Sequence, residues 1–278
     1  MNQFLSKHII LTLTLIFIGN VYNRQLFAQS TINVGVKLGG SKLLGEIPND
    51  FSEIINEFEN KTGFSTALEI SKYMSQQWEI GTEIGYSNLN GNTSTPEFSV
   101  EGLQPGIPSD ITDPVEYNNK IFGPNFFFRY FFKPAFSESS FIPFIRVGGG
   151  YLNYNAQFKY IDAPDDDLLF GKGTEGYNKL STPVFFFGAG FKSTISTNFY
   201  LVSSVDFNMV NYDFLDVVHN YGDDGTRLEI VGLYAEFKVG IFYTFYNPDN
   251  IKNSRNSKKK SKNGSSSANS YLPFSRWI

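Results

Sequence analysis

Apolar and polar side chains alternate one by one along eight stretches of this chain. In TINVGVKL (31–38), for example, apolar residues occupy every second position, and asparagine, glycine and lysine stand between them. A period of two is typical of β-strands that present one apolar and one polar face. The eight predicted strands fall within residues 31–38, 64–71, 78–87, 122–132, 142–151, 183–192, 200–209 and 232–245.

The connections between these strands alternate in length. Three are short, at 73–77, 133–140 and 194–198, and four are long, at 40–63, 89–120, 161–180 and 212–227. The long ones are rich in Gly, Pro, Asn and acidic residues, and the first of them holds the segment Asp50–Asn60, whose apolar spacing predicts a short helix. Short turns at one end and long loops at the other are typical of an up-and-down membrane barrel. The sequence therefore predicts an eight-stranded antiparallel up-and-down transmembrane β-barrel.

The volume of the side chains on the two faces of the strands indicates which face points inward. The apolar face collects more than twenty large side chains, many of them Phe, whereas the other face is dominated by Gly, Ser, Ala and Asn with single charges. The interior of an eight-stranded barrel has room only for side chains that fill it. We therefore expect the small and polar face inside and the apolar face against lipid. A soluble sandwich or lipocalin, with the opposite polarity, is the alternative.

Charged residues on the small face are balanced in sign. Buried charges must be paired, and a Lys or Arg facing mid-membrane lipid costs roughly 2–4 kcal/mol. We therefore predict a lumen charge network formed by five basic and five acidic side chains: Lys37, Arg129, Arg146, Lys192 and Lys238 with Glu69, Glu79, Glu83, Asp206 and Glu236.

The segment NFFFRYFF (125–132) illustrates this interpretation. Its even-numbered aromatic residues belong to the lipid face, and Asn125 and Arg129 belong to the lumen, where Glu79 or Glu83 would pair with the arginine. Phe127 and Phe131 share the inner face, and we expect them to fill the lumen near its ends. Candidates for interfacial aromatic girdles are Trp78, Tyr86, Tyr130 and Tyr243.

The two ends of the chain differ from the predicted barrel at 29–246. An apolar run of about ten residues after Lys7 is too short to span a bilayer and is typical of a signal peptide, so we expect residues 1–28 to be removed on export. Residues 247–278 read as a polar, basic periplasmic tail. Residues 29–246 hold 14 basic and 26 acidic residues, a net charge of −12 that argues against nucleic-acid binding.

Candidates for chemistry are few. His219, beside Asp216, Asp223 and Asp224, could act as a base or metal ligand, but it reads more simply as a solvated loop residue. The run DAPDDD (162–167) offers oxygen ligands for Ca²⁺ without the spacing of an EF-hand, and a solvated loop is the preferred interpretation. We expect no enzyme activity, no metal site and no cofactor.

The pattern resembles small outer-membrane β-barrel proteins of the OmpA/OmpX-like class, in particular the porin-like outer-membrane barrel domain common in Bacteroidetes. The resemblance rests on the signal peptide, the eight alternating strands, the inward Gly and charge, and the final strand ending GIFYTF, over about residues 30–246. It implies location in the cell outer membrane of a Gram-negative envelope, contact with outer-membrane lipid and lipopolysaccharide, and recognition of Tyr243 and Phe245 by the barrel assembly machinery.

We expect a non-enzymatic barrel with a side-chain-filled lumen that acts in envelope structure or in surface interaction through four long acidic external loops. A surface or periplasmic protein partner fits this expectation. The alternatives are a secretion or assembly accessory barrel that acts from the periplasmic side, and an outer-membrane lipid-modifying enzyme.

Overall fold

A computed structural model describes residues 31–48, 58–94, 111–136, 141–174, 177, 180–196, 198–210, 215–216, 218 and 230–245. The predicted signal peptide (1–28) and tail (247–278) lie outside these residues. Within the described part of the chain, no helix is long and apolar enough to cross a membrane.

The described residues form antiparallel strands. Their bounds are β1 Ile32–Pro48, β2 Glu59–Lys61, β3 Gly63–Tyr73, β4 Trp78–Thr93, β5 Val115–Phe131, β6 Ile142–Tyr160, β7 Leu180–Thr194, β8 Phe199–Val210 and β9 Ile230–Phe245. Eight of them form a wall in which β1 pairs with both β3 and β9, and β4 pairs with β5, so the sheet closes on itself. The short strand β2 pairs with the end of β4 close to Thr93, and β3 pairs with the preceding part of the same edge of β4. The predicted eight-stranded antiparallel barrel is confirmed.

The register of the strands sets the tilt of the wall. We follow the register partners from strand to strand around the barrel, starting at Ile32 on β1. The path returns to β1 at Lys42, which is a stagger of ten residues. It passes through Lys72, Ile80, Phe128, Val147, Phe187, Phe207 and Ala235. Eight strands with this stagger are inclined by about 40° to the barrel axis. Such a narrow, tilted barrel has an interior that side chains alone can fill.

Side chains alternate between lumen and outer surface along each strand. On β5, Asn125 and Phe127 are buried, whereas 64% of Phe126 between them is exposed. The same alternation exposes apolar residues on every wall strand, among them Val36, Leu68, Ile84, Phe185 and Ile241. The outer surface is therefore apolar, as lipid requires, and the lumen carries the buried polar side chains.

Two of the predicted long connections are wrong in extent. β1 continues to Pro48, β4 continues to Thr93, and β5 begins at Val115, so much of 40–63 and 89–120 is strand. The Asn-rich composition of these segments resembles a loop because Asn is depleted in strands. Their alternate residues, such as Leu89 and Tyr117, are nevertheless buried in an apolar cluster that stabilises the extended strands.

The helix predicted over Asp50–Asn60 is wrong at its end. Glu59 and Asn60 belong to β2 and pair with Asn92 and Gly91 of β4. Phe58, expected on a helix face, is buried against the rings of Tyr117 and Phe158 in the barrel interior. The earlier residues of the segment, up to 57, lie outside the described residues.

The lumen is more aromatic than the volume argument predicted. Aromatic residues at inward positions are paired across the ladder with glycines, as Phe127 is with Gly81, Phe186 with Gly148, and Phe242 with Gly35. A Cβ atom on any of these glycines would lie within 2.5 Å of the partner ring. These glycines therefore make the space that admits rings to a narrow barrel, which explains the inward Phe127 and the first glycine, Gly148, of the GGG segment at 148–150.

Candidate functional site

The middle of the lumen holds a layer of charged side chains. All ten residues of the predicted lumen charge network occupy inward positions of the wall strands and are buried. Lys37 comes from β1, Glu69 from β3, Glu79 and Glu83 from β4, Arg129 from β5, Arg146 from β6, Lys192 from β7, Asp206 from β8, and Glu236 and Lys238 from β9. The period-two pattern directs these side chains to the same side of each strand, and barrel closure brings them together.

Glu69 and Glu79 bind the arginine of the NFFFRYFF segment. Arg129 Nη1 lies 2.5 Å from Glu79 Oε2, and Arg129 Nη2 lies 2.8 Å from Glu69 Oε1. Lys37 extends this group, because its Nζ lies 2.8 Å from Glu69 Oε2 and also contacts Glu83. Three acids and two bases from four strands therefore form one connected cluster.

Glu83 links this cluster to the far side of the lumen. Arg146 Nη2 lies 3.3 Å from Glu83 Oε2, and Arg146 Nε lies 3.2 Å from Asp206 Oδ1. Lys238 Nζ lies 2.8 Å from Glu83 Oε1 and 2.9 Å from Glu236 Oε2. Nine of the ten predicted residues thus belong to one ion-pair network that crosses the barrel.

Small polar residues that the sequence analysis did not single out complete the network. Asn33 Nδ2 donates to Glu79 Oε1 at 2.8 Å, and Ser71 Oγ donates to the same oxygen at 2.6 Å. Ser65 Oγ donates to Glu236 Oε1 at 2.9 Å, and Ser87 also donates to that oxygen. Removing one member of such a buried network leaves an uncompensated charge, so its members fix one another in place. The one signal in the sequence that could have identified these residues is that each shares the alternating, inward positions of the charged residues on its strand.

Lys192 differs from the other nine. Among the described residues, no carboxylate lies within 4.0 Å of its ammonium group, which donates instead to Tyr73 Oη at 2.7 Å and to the Ala135 carbonyl at 3.0 Å. Its Nζ lies 4.3 Å from the centre of the Tyr200 ring and 5.0 Å from that of Tyr73. The expected five-to-five pairing is therefore incomplete, because Lys192 is held by aromatic faces and neutral oxygens.

Phe127 contacts two guanidinium groups. The carbon Cζ of Arg129 is 4.8 Å from the centre of its ring, and that of Arg146 is 4.7 Å away. This position lies within the charged layer. The prediction that Phe127 fills the lumen near a barrel end is therefore wrong. The ring offers a π face to both cations, which are themselves register partners on β5 and β6.

Apolar side chains close the lumen on both sides of the charged layer. Below it, at the end of the short turns, lies a cluster of Tyr73, Phe131, Ala135, Ile142, Phe144, Tyr200, Val202 and Phe242, with Phe136 packed against it. Above it lies a larger cluster of buried residues that includes Leu89, Tyr117, Phe158 and Tyr234 from the strands, together with Ile111, Phe170, Leu215 and Val218 from the connections. The three layers together fill the barrel with side chains.

Aromatic residues form the predicted girdle at the short-turn end of the outer wall. Trp78 and Tyr130 are register partners with ring centres 4.9 Å apart, and Tyr243 contacts both Phe199 and Phe245. Tyr86 lies eight residues above Trp78 on β4, roughly 20 Å along the membrane normal, on the outer wall. Tyr243 and Phe245, the residues proposed as an assembly signal, lie at the end of β9, and Phe245 faces outward.

The candidates for loop chemistry do not form a site among the described residues. His219, Asp223 and Asp224 lie outside the described part, and Asp216 is buried in the upper lumen. Of the acidic run, Asp165 accepts a hydrogen bond of 2.7 Å from Lys159, and this contact holds the pKa of the Asp165 carboxyl below its usual range. The described residues include no group of three or more His, Cys, Asp or Glu side chains suited to a metal ion.

The closed barrel with charges inside and an apolar outer wall defines an outer-membrane β-barrel protein, located in the cell outer membrane. No protein-family model matches the chain, and no curated protein sequence matches it either.

Solved structures of outer-membrane proteins resemble the barrel at low sequence identity. Neisserial surface protein A is 12% identical with a TM-score of 0.42, and the match covers 77% of this chain and 97% of that chain. OprG of Pseudomonas aeruginosa is 10% identical with a TM-score of 0.41, over 80% of this chain and 100% of that one. The outer membrane protease OmpT of Escherichia coli is 11% identical with a TM-score of 0.37, over 81% and 100%. The class assignment rests on the polarity of the barrel itself.

Proposed function

We propose that this protein is a non-enzymatic, non-conducting outer-membrane barrel that stabilises the cell envelope and presents its extracellular end for surface interaction. The observation that carries the proposal is the filling of the lumen by three layers of side chains. Nine of the ten residues of the charged layer are engaged in ion pairs with one another, and the tenth, Lys192, donates to Tyr73 Oη and the Ala135 carbonyl.

The height of the strands supports the part of the proposal that concerns the surface. On β4, β5 and β6 the ladder continues to Thr93, Val115 and Tyr160, which are paired in one row. Trp78 of the lower girdle and Thr93 are fifteen residues apart, roughly 38 Å along the membrane normal at this tilt, whereas the apolar band of such barrels is about 25 Å tall. A sheet of this height would present ordered structure above the lipid.

Planar bilayer recording tests the closed lumen. The purified full-length protein, refolded and verified by its heat-modifiable migration on a gel, is expected to give no steady current under conditions in which a sixteen-stranded porin conducts. A lasting conductance in the nanosiemens range would contradict the proposal, because it would require an aqueous path through all three layers.

Replacement of the extracellular connections tests the surface role. Exchanging residues 95–110 for a short Gly-Ser turn should leave the barrel folded and abolish attachment of the cells to a surface that the wild type binds. The same exchange at the periplasmic turn 74–77 is the control and should leave attachment unchanged. Attachment that survives every extracellular exchange would contradict the surface role. The non-enzymatic assignment is tested separately with the variant His219→Ala. If cells with this variant showed the same phenotype as cells that lack the protein, the assignment would be contradicted.

A further inference from the structure

The chain folds across the periplasmic mouth of the barrel directly after β5. Residues 133–136 form this strap. Ala135 of the strap is buried, and its backbone N–H donates to the Gln76 carbonyl of the turn between β3 and β4 at 2.7 Å. Phe136 packs edge-on against Tyr73, with the ring centres 4.8 Å apart. The strap is therefore folded against the bottom of the lumen and differs from a solvated periplasmic turn.

Lys192 fastens the strap from the opposite wall of the barrel. Around the ring of strands, β4, β5 and β6 separate β3 from β7 on one side, and β1, β9 and β8 separate them on the other. Lys192 on β7 therefore faces Tyr73 on β3 across the full width of the mouth. Its ammonium group donates to Tyr73 Oη at 2.7 Å and to the Ala135 carbonyl at 3.0 Å. One side chain thus links both walls and the strap.

The strap covers polar side chains at the periplasmic ends of three strands. Tyr73 is the last residue of β3, Tyr200 is the second residue of β8, and Lys192 lies two residues before the end of β7. Each of the three is nevertheless no more than 5% exposed. Ala135 lies in the same buried cluster as Tyr73 and Tyr200. Phe136 packs against that cluster, so the strap separates these side chains from the periplasm.

A lysine at position 192 is not explained by an ion pair. Among the described residues, no carboxylate lies within 4.0 Å of its ammonium group, and burying a cation without such a partner is unfavourable. A methionine would fill the same aromatic surroundings without that cost. What lysine adds at this position is its pair of hydrogen bonds, one of which ends on the backbone of the strap.

The closed position of the strap carries a cost of its own. Tyr200 Oη is buried, and it has no hydrogen-bond partner in the described part of the chain. A buried hydroxyl group without a partner is unfavourable, and water would satisfy it once the strap moved away. The buried ammonium group of Lys192 would be hydrated in the same way. The hydrogen bonds of Ala135 and the ring contact of Phe136 favour the closed strap, and these two polar groups oppose it.

We propose that residues 133–136 open and close the periplasmic end of the lumen, with Lys192 as the latch. In the closed state Lys192 holds the Ala135 carbonyl, and in the open state the ammonium group and the rings of Tyr73 and Tyr200 face the periplasm. The charged layer above them stays intact in both states, so opening the strap does not create a pore. The inference goes beyond the proposed function, which requires only that the barrel does not conduct.

Thiol labelling tests the latch, because the chain contains no cysteine and single cysteines can be introduced one at a time. The full-length variants are placed in phosphatidylcholine nanodiscs, and their reaction with a water-soluble maleimide is followed over time. A135C should react at least about tenfold more slowly than S196C, which lies in the exposed periplasmic turn after β7. A135C/K192M should react about tenfold faster than A135C, because labelling follows the fraction of molecules with an open strap.

The matched control is A135C/K72M, which removes an exposed lysine near the same end of the barrel and should react as A135C does. S204C reports on the charged layer, where Ser204 is buried beside Asp206, and S204C/K192M should stay unreactive. All variants should keep the heat-modifiable migration of the folded barrel. Equal rates for A135C and S196C, or no effect of K192M on A135C, would overturn the inference. Labelling of S204C/K192M would also overturn it, because the barrel as a whole would then have loosened.

Discussion

The ring of Phe127 lies on the backbone of Gly81, its register partner on the adjacent strand. A Cβ atom at position 81 would lie 2.4 Å from Phe127 Cζ and 2.8 Å from the Ile70 carbonyl oxygen. The glycine is thus the reason that a phenylalanine can enter the charged layer and contact both Arg129 and Arg146.

Gly81→Ala should therefore destabilise the barrel. The added methyl group must displace Phe127 or the β3 backbone, and overpacking of this kind costs about 1–3 kcal/mol. Reversible urea unfolding in lipid vesicles measures the loss. Gly85→Ala is the control on the same strand, since a Cβ there would meet its nearest atoms at 3.8 and 3.9 Å. Equal stability of the two variants would show that the contact is not tight.

Arg129→Met should be among the most damaging lumen substitutions. It leaves Glu79 and Glu69 without the guanidinium that each contacts, and breaking a buried ion pair costs about 3–5 kcal/mol. The double variant E79Q/R129M should recover part of this loss, because the orphaned carboxylate becomes neutral. A double-mutant cycle on unfolding free energies measures the coupling, and strictly additive effects would contradict it.

Lys192→Met should cost clearly less than Arg129→Met in the same assay. Lys192 has no carboxylate within 4.0 Å among the described residues, and methionine packs well against the rings of Tyr73 and Tyr200 that surround it. Replacing the buried cation removes its desolvation cost together with two hydrogen bonds. A loss as large as that of Arg129→Met would mean that Lys192 belongs to the ion-pair network after all.

An arginine on the outer wall should have an effect that depends on its depth. Phe126 and Phe122 both face outward on β5, four residues apart, and Phe122 is nearer the extracellular surface. Phe126→Arg should cost about 2–4 kcal/mol and Phe122→Arg about 0–1 kcal/mol, measured in lipid vesicles. The same two variants in a detergent micelle should differ less, since a micelle adapts to a charge. A reversed order would place the membrane at a different height on the wall.

The connection after β6 should respond to acid through Asp165. The hydrogen bond from Lys159 lowers the pKa of the Asp165 carboxyl, so the contact is intact above the usual pKa of an aspartate and is lost as the pH falls through the lowered value. NMR titration of the Asp165 carboxyl carbon should give a midpoint below the usual range of an aspartate. Lys159→Ala should raise the Asp165 midpoint to the usual range, and a midpoint that does not move would contradict the contact.

Alternation along the strands was sufficient to predict the class. Lys37, Glu83 and Arg129 occupy alternate positions that belong to the small, polar face of their strands. The side chains of the opposite face are too large to fit inside a narrow barrel, so the polar face had to point inward. Both arguments depend on local geometry, because successive side chains of a strand point to opposite faces whatever the rest of the chain does. The confirmed eight-stranded barrel and its outer-membrane location follow from these local facts.

Strand ends were less predictable because tertiary packing overrides composition. Residues 88–92 resemble a loop by their Asn and Gly content, yet Leu89 is buried in the upper cluster and the segment pairs with β5 along its whole length. The Asp50–Asn60 segment misled in the same way, since Phe58 packs against Tyr117 and Phe158 from distant strands.

The sequence by itself determined the two-faced strands, the sign balance of the lumen and the apolar outer wall, because these depend on residue type and parity. Only the tertiary structure decided which charges meet, since the ten-residue stagger between the ends of the closed sheet sets the height of every strand relative to the others. That stagger brings Arg129 to Glu69 and Glu79 and leaves Lys192 among aromatic rings.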